Sequence, residues 1–292
     1  MMQRREFLAQ SLAIPAAILS GSTLLAKDSA PLPGQTKNSK FAVNVEMWWT
    51  KLPFIQRIEA AAKMGFSAIE LWPWRGKDVN AIHETCQRLK IDIIQFTAWG
   101  FKPGLNDPNN HTRFVEEIDA SCEIAKKWNC PMMTVVGGDD IPGVSQEKMH
   151  EAIITGLKKA APIAEKHGIM LILEPMNILV DHKGHCLYGS EPATKITRAV
   201  NSKMVKLNWD LYHMFITEGN LLPNLKKGFD QVGYLQIADH PGRNEPGTGK
   251  INFPELLKGV AELGYHGHIG LELRPKTTEL AAALAVQKAD NW

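Results

Sequence analysis

The sequence predicts an α/β fold, a (β/α)8 barrel of parallel strands, from three observations. Short apolar runs of strand length alternate with longer segments of helical period along the chain. Strands and crossover helices that alternate in this way form parallel sheets, and eight such units close into a barrel. Glycines such as Gly65, Gly168 and Gly264 stand where helices would end in a left-handed residue. The apolar runs, in chain order, are Phe41–Glu46, Ala68–Trp72, Ile91–Thr97, Met132–Val136, Ile169–Glu174, Met204–Trp209, Gln231–Ala238 and His268–Leu273.

The segments between these runs carry apolar residues three and four positions apart, as amphipathic helices do. The clearest of them are Phe54–Met64, Val79–Lys90, Thr112–Trp128 and Gln146–His167. An open, doubly wound sheet is the alternative fold for alternating strands and helices. It is disfavoured because no G-x-G-x-x-G motif follows the first run and the chain contains no Walker loop.

Length, charge and cysteine spacing bound the function. The chain has 292 residues, 44% of them hydrophobic, which suits one barrel domain. Its formal net charge is only +2, without the large excess of Lys and Arg that is typical of proteins that bind nucleic acids or anionic membranes. The four cysteines show no C-x-x-C or zinc-knuckle spacing, and we expect them to pack in the core. The expected partner is a small molecule and not a nucleic acid, and a homo-oligomer remains open.

The first thirty residues have the composition of an export signal. Arg4 and Arg5 precede an uncharged stretch from Phe7 to Ala26, and this start resembles the twin-arginine signal that exports folded proteins. An uncleaved membrane anchor is the alternative, which Pro15 and several small polar residues disfavour. After cleavage the protein is expected in the periplasm without stable membrane insertion, and the linker is expected to make no contact with the barrel core. The predicted division is a signal peptide at 1–30, a linker at 31–40 and the barrel domain at 41–292.

Polar side chains end the last four apolar runs. These residues are Glu174, Asp210, Gln236 and Glu272. Because barrel active sites lie at the carboxyl ends of the strands, we expect the four side chains to converge on one mouth. Three carboxylates in one cavity repel each other unless a cation neutralises them, so the pattern predicts a divalent metal ion. Taken singly, each acid can instead be a strand-end residue paired with Arg or Lys.

Oxygen ligands of this kind select hard or borderline cations. We therefore expect one divalent ion, Mn²⁺ or Mg²⁺, with Co²⁺ also compatible. Thiolate-preferring metals are disfavoured because the four predicted ligands include no cysteine.

Several motifs around these residues resemble the hydroxypyruvate isomerase family, which belongs to the wider xylose-isomerase-like TIM barrels. The resemblance runs from about Phe41 to about Ala285, and its most specific part is the run Gln236–Asn252. It implies that Glu174, Asp210, Gln236 and Glu272 are the metal ligands. It also implies that Glu174 and Glu272 serve as the catalytic acid and base. Related epimerases usually have His at the position of Gln236, so the Gln favours the isomerase branch.

Three further residues are candidates for substrate binding. His213, three positions after Asp210, can donate to a substrate oxygen, or it can be a structural His bonded to a backbone carbonyl. Arg243, with the amides of Gly247 to Gly249, can hold a substrate carboxylate. Glu70 is either substrate-facing or one layer removed from the substrate.

Aromatic and histidine residues near the mouth have open roles. The tryptophans at the ends of the first strands form either an apolar wall of the mouth or packing beneath loops. They are Trp48, Trp49, Trp72, Trp74 and Trp99. His182 and His185 suggest either a second metal site or, preferably, a solvated loop, because their spacing in a glycine-containing segment fixes no common face.

These features predict a metal-dependent aldose–ketose isomerase. The first hypothesis is conversion of hydroxypyruvate to 2-hydroxy-3-oxopropanoate by proton transfer through a metal-stabilised enediolate. Because the chain carries an export signal, an exported sugar isomerase, 3-epimerase or keto-sugar lyase is the alternative. A metal phosphodiesterase of the endonuclease IV type is distant, because such a site needs many His ligands and a basic surface. A non-catalytic sugar-binding barrel is disfavoured by the intact Glu174 and Glu272.

Overall fold

Parallel strands, each followed by at least one helix, form a closed barrel in the computed structural model, which describes residues 31–292. The strands pair in chain order and the last pairs with the first. The predicted (β/α)8 fold is therefore confirmed. The predicted export signal at 1–30 lies outside the described residues. The strands are β1 Lys40–Asn44, β2 Ala68–Leu71, β3 Asp92–Trp99, β4 Met132–Val136, β5 Met170–Glu174, β6 Val205–Asp210, β7 Val232–Gln236 and β8 His268–Leu271.

Helices cover the outside of the barrel, and their ends carry the expected capping residues. Asp78 and Ser145 cap helices with side-chain hydrogen bonds to backbone amides. Gly65 and Gly168 end helices with φ of 97° and 69°, in the left-handed region where glycine has no steric penalty. The helices are α1 Phe54–Met64, α2 Val79–Leu89, α3 His111–Trp128, α4 Gln146–His167, α5 Ser190–Val200, α6 Leu211–Glu218, α7 Leu221–Gly228, α8 Phe253–Glu262 and α9 Glu279–Ala289.

The core has two parts. Side chains that point into the barrel, among them Ala68, Ile172 and Tyr234, fill its interior below the mouth. A larger cluster packs between the strands and the surrounding helices. Every cysteine of the chain is buried and free, which agrees with a packing role. In the described part of the chain, no helix combines the length and the apolar character that a membrane span requires.

Residues 31–39 contact the barrel, which differs from the expectation of a linker without contacts. The backbone N–H of Asn38 donates to the Asp290 carboxylate at 2.6 Å, and the N–H of Ser39 donates to it at 3.0 Å. Gln287 donates to the carbonyl of Gln35 at 2.7 Å. Asp290 is fully buried, so it requires these donors. The segment thus belongs to the folded unit and lies at the end of the barrel where β1 begins.

Candidate active site

A cavity of about 430 Å³ opens at the carboxyl ends of the strands. Its walls include three of the four predicted ligands, Glu174, Gln236 and Glu272, together with the predicted substrate contacts His213 and Arg243. The fourth predicted ligand, Asp210, ends β6 and pairs with His213 and Arg243. The structure therefore brings these six residues to one mouth.

Three buried carboxylates dominate the electrostatics of this cavity. Glu174, Asp210 and Glu272 have only 6%, 1% and 7% of their surface exposed. Burial, and then the charges of Glu272 and Asp210, raise the pKa of Glu174 well above its ordinary value. Burial raises the pKa of Asp210 to about 7, with Arg243 lowering it and Glu272 raising it. The site therefore favours a bound cation.

Arg243 supplies one such cation from the protein. One guanidinium nitrogen lies 3.1 Å from Asp210 Oδ2 and 2.5 Å from Glu272 Oε2. The guanidinium also stacks over the ring of Tyr212, 4.9 Å from its centroid. The other oxygen of Glu272 accepts a hydrogen bond from the indole N–H of Trp72 at 2.7 Å. Both oxygens of Glu272 are thus held in place.

Glu174 differs from Glu272 because no donor within residues 31–292 forms a hydrogen bond with its carboxylate. Nε2 of His213 lies 3.8 Å from Glu174 Oε1 and 3.4 Å from Asp210 Oδ2, beyond hydrogen-bond contact with Glu174. A carboxylate oxygen of Glu174 and one of Asp210 lie within 4.8 Å of each other, close enough to share one ion, and the His213 ring adjoins both. A buried carboxylate without a partner is costly, and a divalent cation would satisfy it. The residues present therefore fit a metal ion.

The hydrogen bonds of Asn177 fix the protonation of His213. Asn177 Oδ1 accepts from the backbone amides of Val180 and Asp181 at 3.0 and 3.1 Å, so the Nδ2 group faces the other way. Nδ2 lies 2.7 Å from Nδ1 of His213 and can only donate to it. Burial, and then Arg243, lower the pKa of His213 well below its ordinary value, so the ring is neutral. Its single proton is therefore on Nε2, which has no hydrogen-bond partner in the described chain and is available to donate to a ligand.

Glu70 lies beneath the cavity and does not line it. It is fully buried and accepts hydrogen bonds from four neutral side chains, Asn44, Gln95, Tyr234 and Gln236, at 3.0, 3.2, 2.8 and 2.9 Å. Burial, and then Glu272, raise its pKa to about 7, against these hydrogen bonds. Glu70 thus lies behind the residues that line the cavity and contacts one of them, Gln236.

Gln236 is oriented by its neighbours. Its Nε2 donates to Glu70, and its Oε1 accepts from Asn208 at 2.7 Å. A carbonyl oxygen has a second lone pair, so Oε1 can accept one more contact from the cavity side. Its assignment as a metal ligand stays a prediction.

The predicted anion site at Gly247 to Gly249 is wrong. Asp239, which is fully buried, accepts from the amides of Gly247 and Gly249 at 3.0 and 2.7 Å, and Thr248 donates to the carbonyl of Glu245. These amides therefore hold the β7–α8 loop together and are not available to a ligand. The loop in turn presents Arg243, whose φ of 54° lies in the left-handed region.

The structure shows where the aromatic and histidine residues with open roles lie, and Trp49 and Trp74 are partly buried against the core. Trp72 lines the cavity, whereas Trp48 and Trp99 are buried in the core. His182 lines the cavity and stacks on Phe101 at 5.0 Å between ring centroids. His185 is fully buried, and burial followed by the charge of His182 lowers its pKa to about 3. The loop that carries them is largely exposed from Leu179 to Gly184, as expected of a solvated loop, but His185 is buried beneath it and His182 faces the cavity.

The comparisons with known proteins agree with this geometry. A family model described as "Xylose isomerase-like TIM barrel" matches residues 58–289. The hydroxypyruvate isomerase of Escherichia coli (strain K12) is 30% identical over 245 residues, which cover 82% of this chain and 95% of that protein. The 2-oxo-tetronate isomerase of Pectobacterium atrosepticum is 30% identical over 247 residues, covering 81% and 92%. Among solved structures, a family 2 AP endonuclease from Brucella melitensis has a TM-score of 0.79 at 24% identity, covers 84% of this chain and 96% of its own, and shows the fold alone.

Proposed function

Because the chain belongs to the xylose isomerase-like TIM barrel family and is an isomerase, we propose that it converts hydroxypyruvate to 2-hydroxy-3-oxopropanoate with one divalent metal ion. The observation that carries the proposal is the convergence of three buried carboxylates, a neutral histidine N–H and an arginine on one cavity. The names of the relatives support a substrate with a carbonyl next to a hydroxyl and a carboxylate.

The reaction moves one proton from C3 to C2 of the substrate, and one hydroxyl proton from the C3 oxygen to the C2 oxygen. Glu174 is suited to take the carbon-bound proton, because its carboxylate is buried, has no hydrogen-bond partner in the described chain and has a raised pKa. Glu272 lines the same cavity and is the residue that we propose to complete the transfer. The Nε2–H of His213 donates to the substrate oxygen on which charge develops.

Glu174, Asp210, Gln236 and Glu272 are the residues that we propose to hold the metal, with Mn²⁺ or Mg²⁺ as the ion and Co²⁺ as a substitute. The ion would act as a Lewis acid on the substrate oxygens. His213 lies next to these residues. Because its Nε2 carries the proton, His213 suits the role of hydrogen-bond donor better than that of metal ligand.

The test is an assay of metal-stripped and Mn²⁺-loaded protein against a panel of substrates. The panel pairs hydroxypyruvate with dihydroxyacetone, a free ketose and a 3-keto sugar. The proposal expects turnover of hydroxypyruvate to be fastest and to return only when metal is added. Faster conversion of a neutral sugar would instead support the alternative, an exported sugar isomerase, 3-epimerase or keto-sugar lyase, which the predicted signal sequence favours.

We also propose that the protein is exported through the twin-arginine route. The support is the pair Arg4 and Arg5 ahead of a moderately apolar stretch. Changing both to Lys is expected to leave folded, active enzyme in the cytoplasm of the source cell. Unchanged export of that double variant would overturn this route.

A further inference from the structure

Arg274 stands on the cavity wall two residues after Glu272. Leu271 and Leu273 are fully buried, whereas Glu272 and Arg274 both line the cavity. This alternation is what an extended chain produces, because successive side chains point to opposite faces. The backbone that leaves β8 thus carries an acid and then an arginine along the same side of the mouth.

The backbone of Arg274 is fixed to the neighbouring loop. Its N–H donates to the carbonyl of Arg243 at 2.9 Å, and its carbonyl accepts from Asn244 Nδ2 at 2.7 Å. The guanidinium of Arg274, in contrast, forms no ion pair or hydrogen bond with any residue in the range 31–292. A permanently charged group is therefore placed at the mouth by a rigid backbone and left without a protein partner.

The other groups that could bind an anion at this mouth are already engaged. Arg243 is shared between the carboxylates of Asp210 and Glu272. The loop amides of Gly247 and Gly249 bind Asp239. Burial lowers the pKa of His182, so its ring is neutral. Within the described chain, Arg274 is thus the cavity-lining cation whose charge no carboxylate balances.

We propose that Arg274 binds the carboxylate of a 2-oxo acid substrate and so determines the preference for anionic over neutral hydroxy-carbonyl compounds. This inference rests on the proposed function and names the residue that recognises the acid end. A guanidinium offers a planar pair of N–H donors that matches a carboxylate. Since the cavity wall also carries Glu174, Glu272 and Asp181, an anionic substrate needs such a cation to offset their repulsion.

The test compares Arg274→Gln with the wild type on two three-carbon substrates that share the same hydroxy-ketone group and differ in charge. Hydroxypyruvate carries the carboxylate, and dihydroxyacetone carries a hydroxymethyl group in its place. The variant is expected to raise KM for hydroxypyruvate about tenfold or more, with little change in kcat, and to leave dihydroxyacetone conversion unchanged. Arg274→Lys is expected to restore part of the affinity, because it keeps the charge and loses the paired donors.

Lys276→Gln is the matched control. It removes one positive charge two residues further along the same loop, from an exposed side chain that does not line the cavity. If Lys276→Gln raises KM as much as Arg274→Gln does, the effect is general electrostatics and the proposal is overturned. Equal KM values for wild type and Arg274→Gln on hydroxypyruvate would overturn it as well.

A binding measurement separates this inference from the proposed function. D-glycerate has the carboxylate but no carbonyl, and glycerol has neither, so calorimetry on the whole protein reports binding without turnover. Glycerate affinity that falls about tenfold in Arg274→Gln supports the inference even if hydroxypyruvate is not converted. Conversion of hydroxypyruvate without any Arg274 dependence supports the function and overturns the inference. Stronger competition by inorganic phosphate than by glycerate would overturn the carboxylate assignment.

Discussion

Replacing Asn177 by Asp changes the tautomer of His213 while keeping the shape of the side chain. Asn177 Oδ1 accepts from the amides of Val180 and Asp181, and an Asp oxygen can do the same. The group that faces Nδ1 of His213 at 2.7 Å changes from a donor to an acceptor. His213 then carries its proton on Nδ1, and Nε2 presents a lone pair to the cavity.

The expected loss follows from the position of Nε2. It lies 3.4 Å from Asp210 Oδ2 and 3.8 Å from Glu174 Oε1, between two carboxylates that are themselves buried. Removing one donor to a developing oxyanion in such a site costs roughly 2.7–4 kcal/mol, or about 10²–10³ in kcat. Metal content should not fall, because a lone pair on Nε2 is a better ligand than an N–H.

The assay measures kcat and metal content at pH 8, together with ¹⁵N chemical shifts of the His213 ring, which report the tautomer. Asn177 Nδ2 also donates to Asp181 at 2.9 Å, so the new carboxylate would face another one. Asp181→Asn alone, and the double variant with Asn177→Asp, show how much of the effect comes from that repulsion. A kcat for Asn177→Asp within threefold of wild type would refute the reasoning.

Other perturbations test the remaining parts of the structure. Glu272→Gln keeps an oxygen ligand and removes the base, so turnover is expected to fall about 10²-fold or more while metal content falls less, as measured by kinetics and elemental analysis. Burial, and then His182, lower the pKa of His185 from 6.5 to about 3 in the folded protein. Between these two pH values the unfolded chain binds a proton at His185 that the folded protein does not bind. The free energy of unfolding therefore falls as the pH drops from 6.5 toward 3. In urea unfolding, the decrease in the free energy of unfolding between roughly pH 6.5 and 5 should be about 2 kcal/mol smaller for His185→Gln than for the wild type. The control His266→Gln, at an exposed position, should leave this decrease unchanged. A chain that starts at Lys40 should be about 2 kcal/mol less stable than one that starts at Pro31, because the buried carboxylate of Asp290 loses two N–H donors. Equal urea midpoints for the two chains would contradict this.

The fold and the outline of the site follow from local patterns in the sequence. The eight apolar runs correspond to the eight strands, with shifts of a few residues at their ends. Glu174, Asp210, Gln236 and Glu272 meet because each ends or follows a strand of a parallel barrel, where all carboxyl ends lie on one face. Neither inference requires knowledge of any long-range contact.

The loops above the barrel were less predictable because their hydrogen bonds join residues that no periodic pattern relates. A glycine-rich run suits an anion site, but the same amides can bind a carboxylate of the protein, as Asp239 does from eight residues away. Asn177 gives no sequence signal beyond its place after Glu174, because its role depends on His213, 36 residues further along. Stacking of Phe101 on His182 likewise joins two loops.

The buried acids of this barrel are stabilised in two different ways, and the difference separates a structural acid from the reactive ones. Glu70 is surrounded by four neutral donors, so its carboxylate is satisfied by the protein alone. Asp210 and Glu272 share the guanidinium of Arg243, whereas Glu174 forms no hydrogen bond with any residue of the described chain and is affected by Arg243 only through its charge. A largely buried carboxylate that the protein leaves unsatisfied carries a cost that a bound cation, a proton or water in the cavity can relieve. Among these acids, Glu174 is thus the one whose carboxylate no side chain of the described chain already engages.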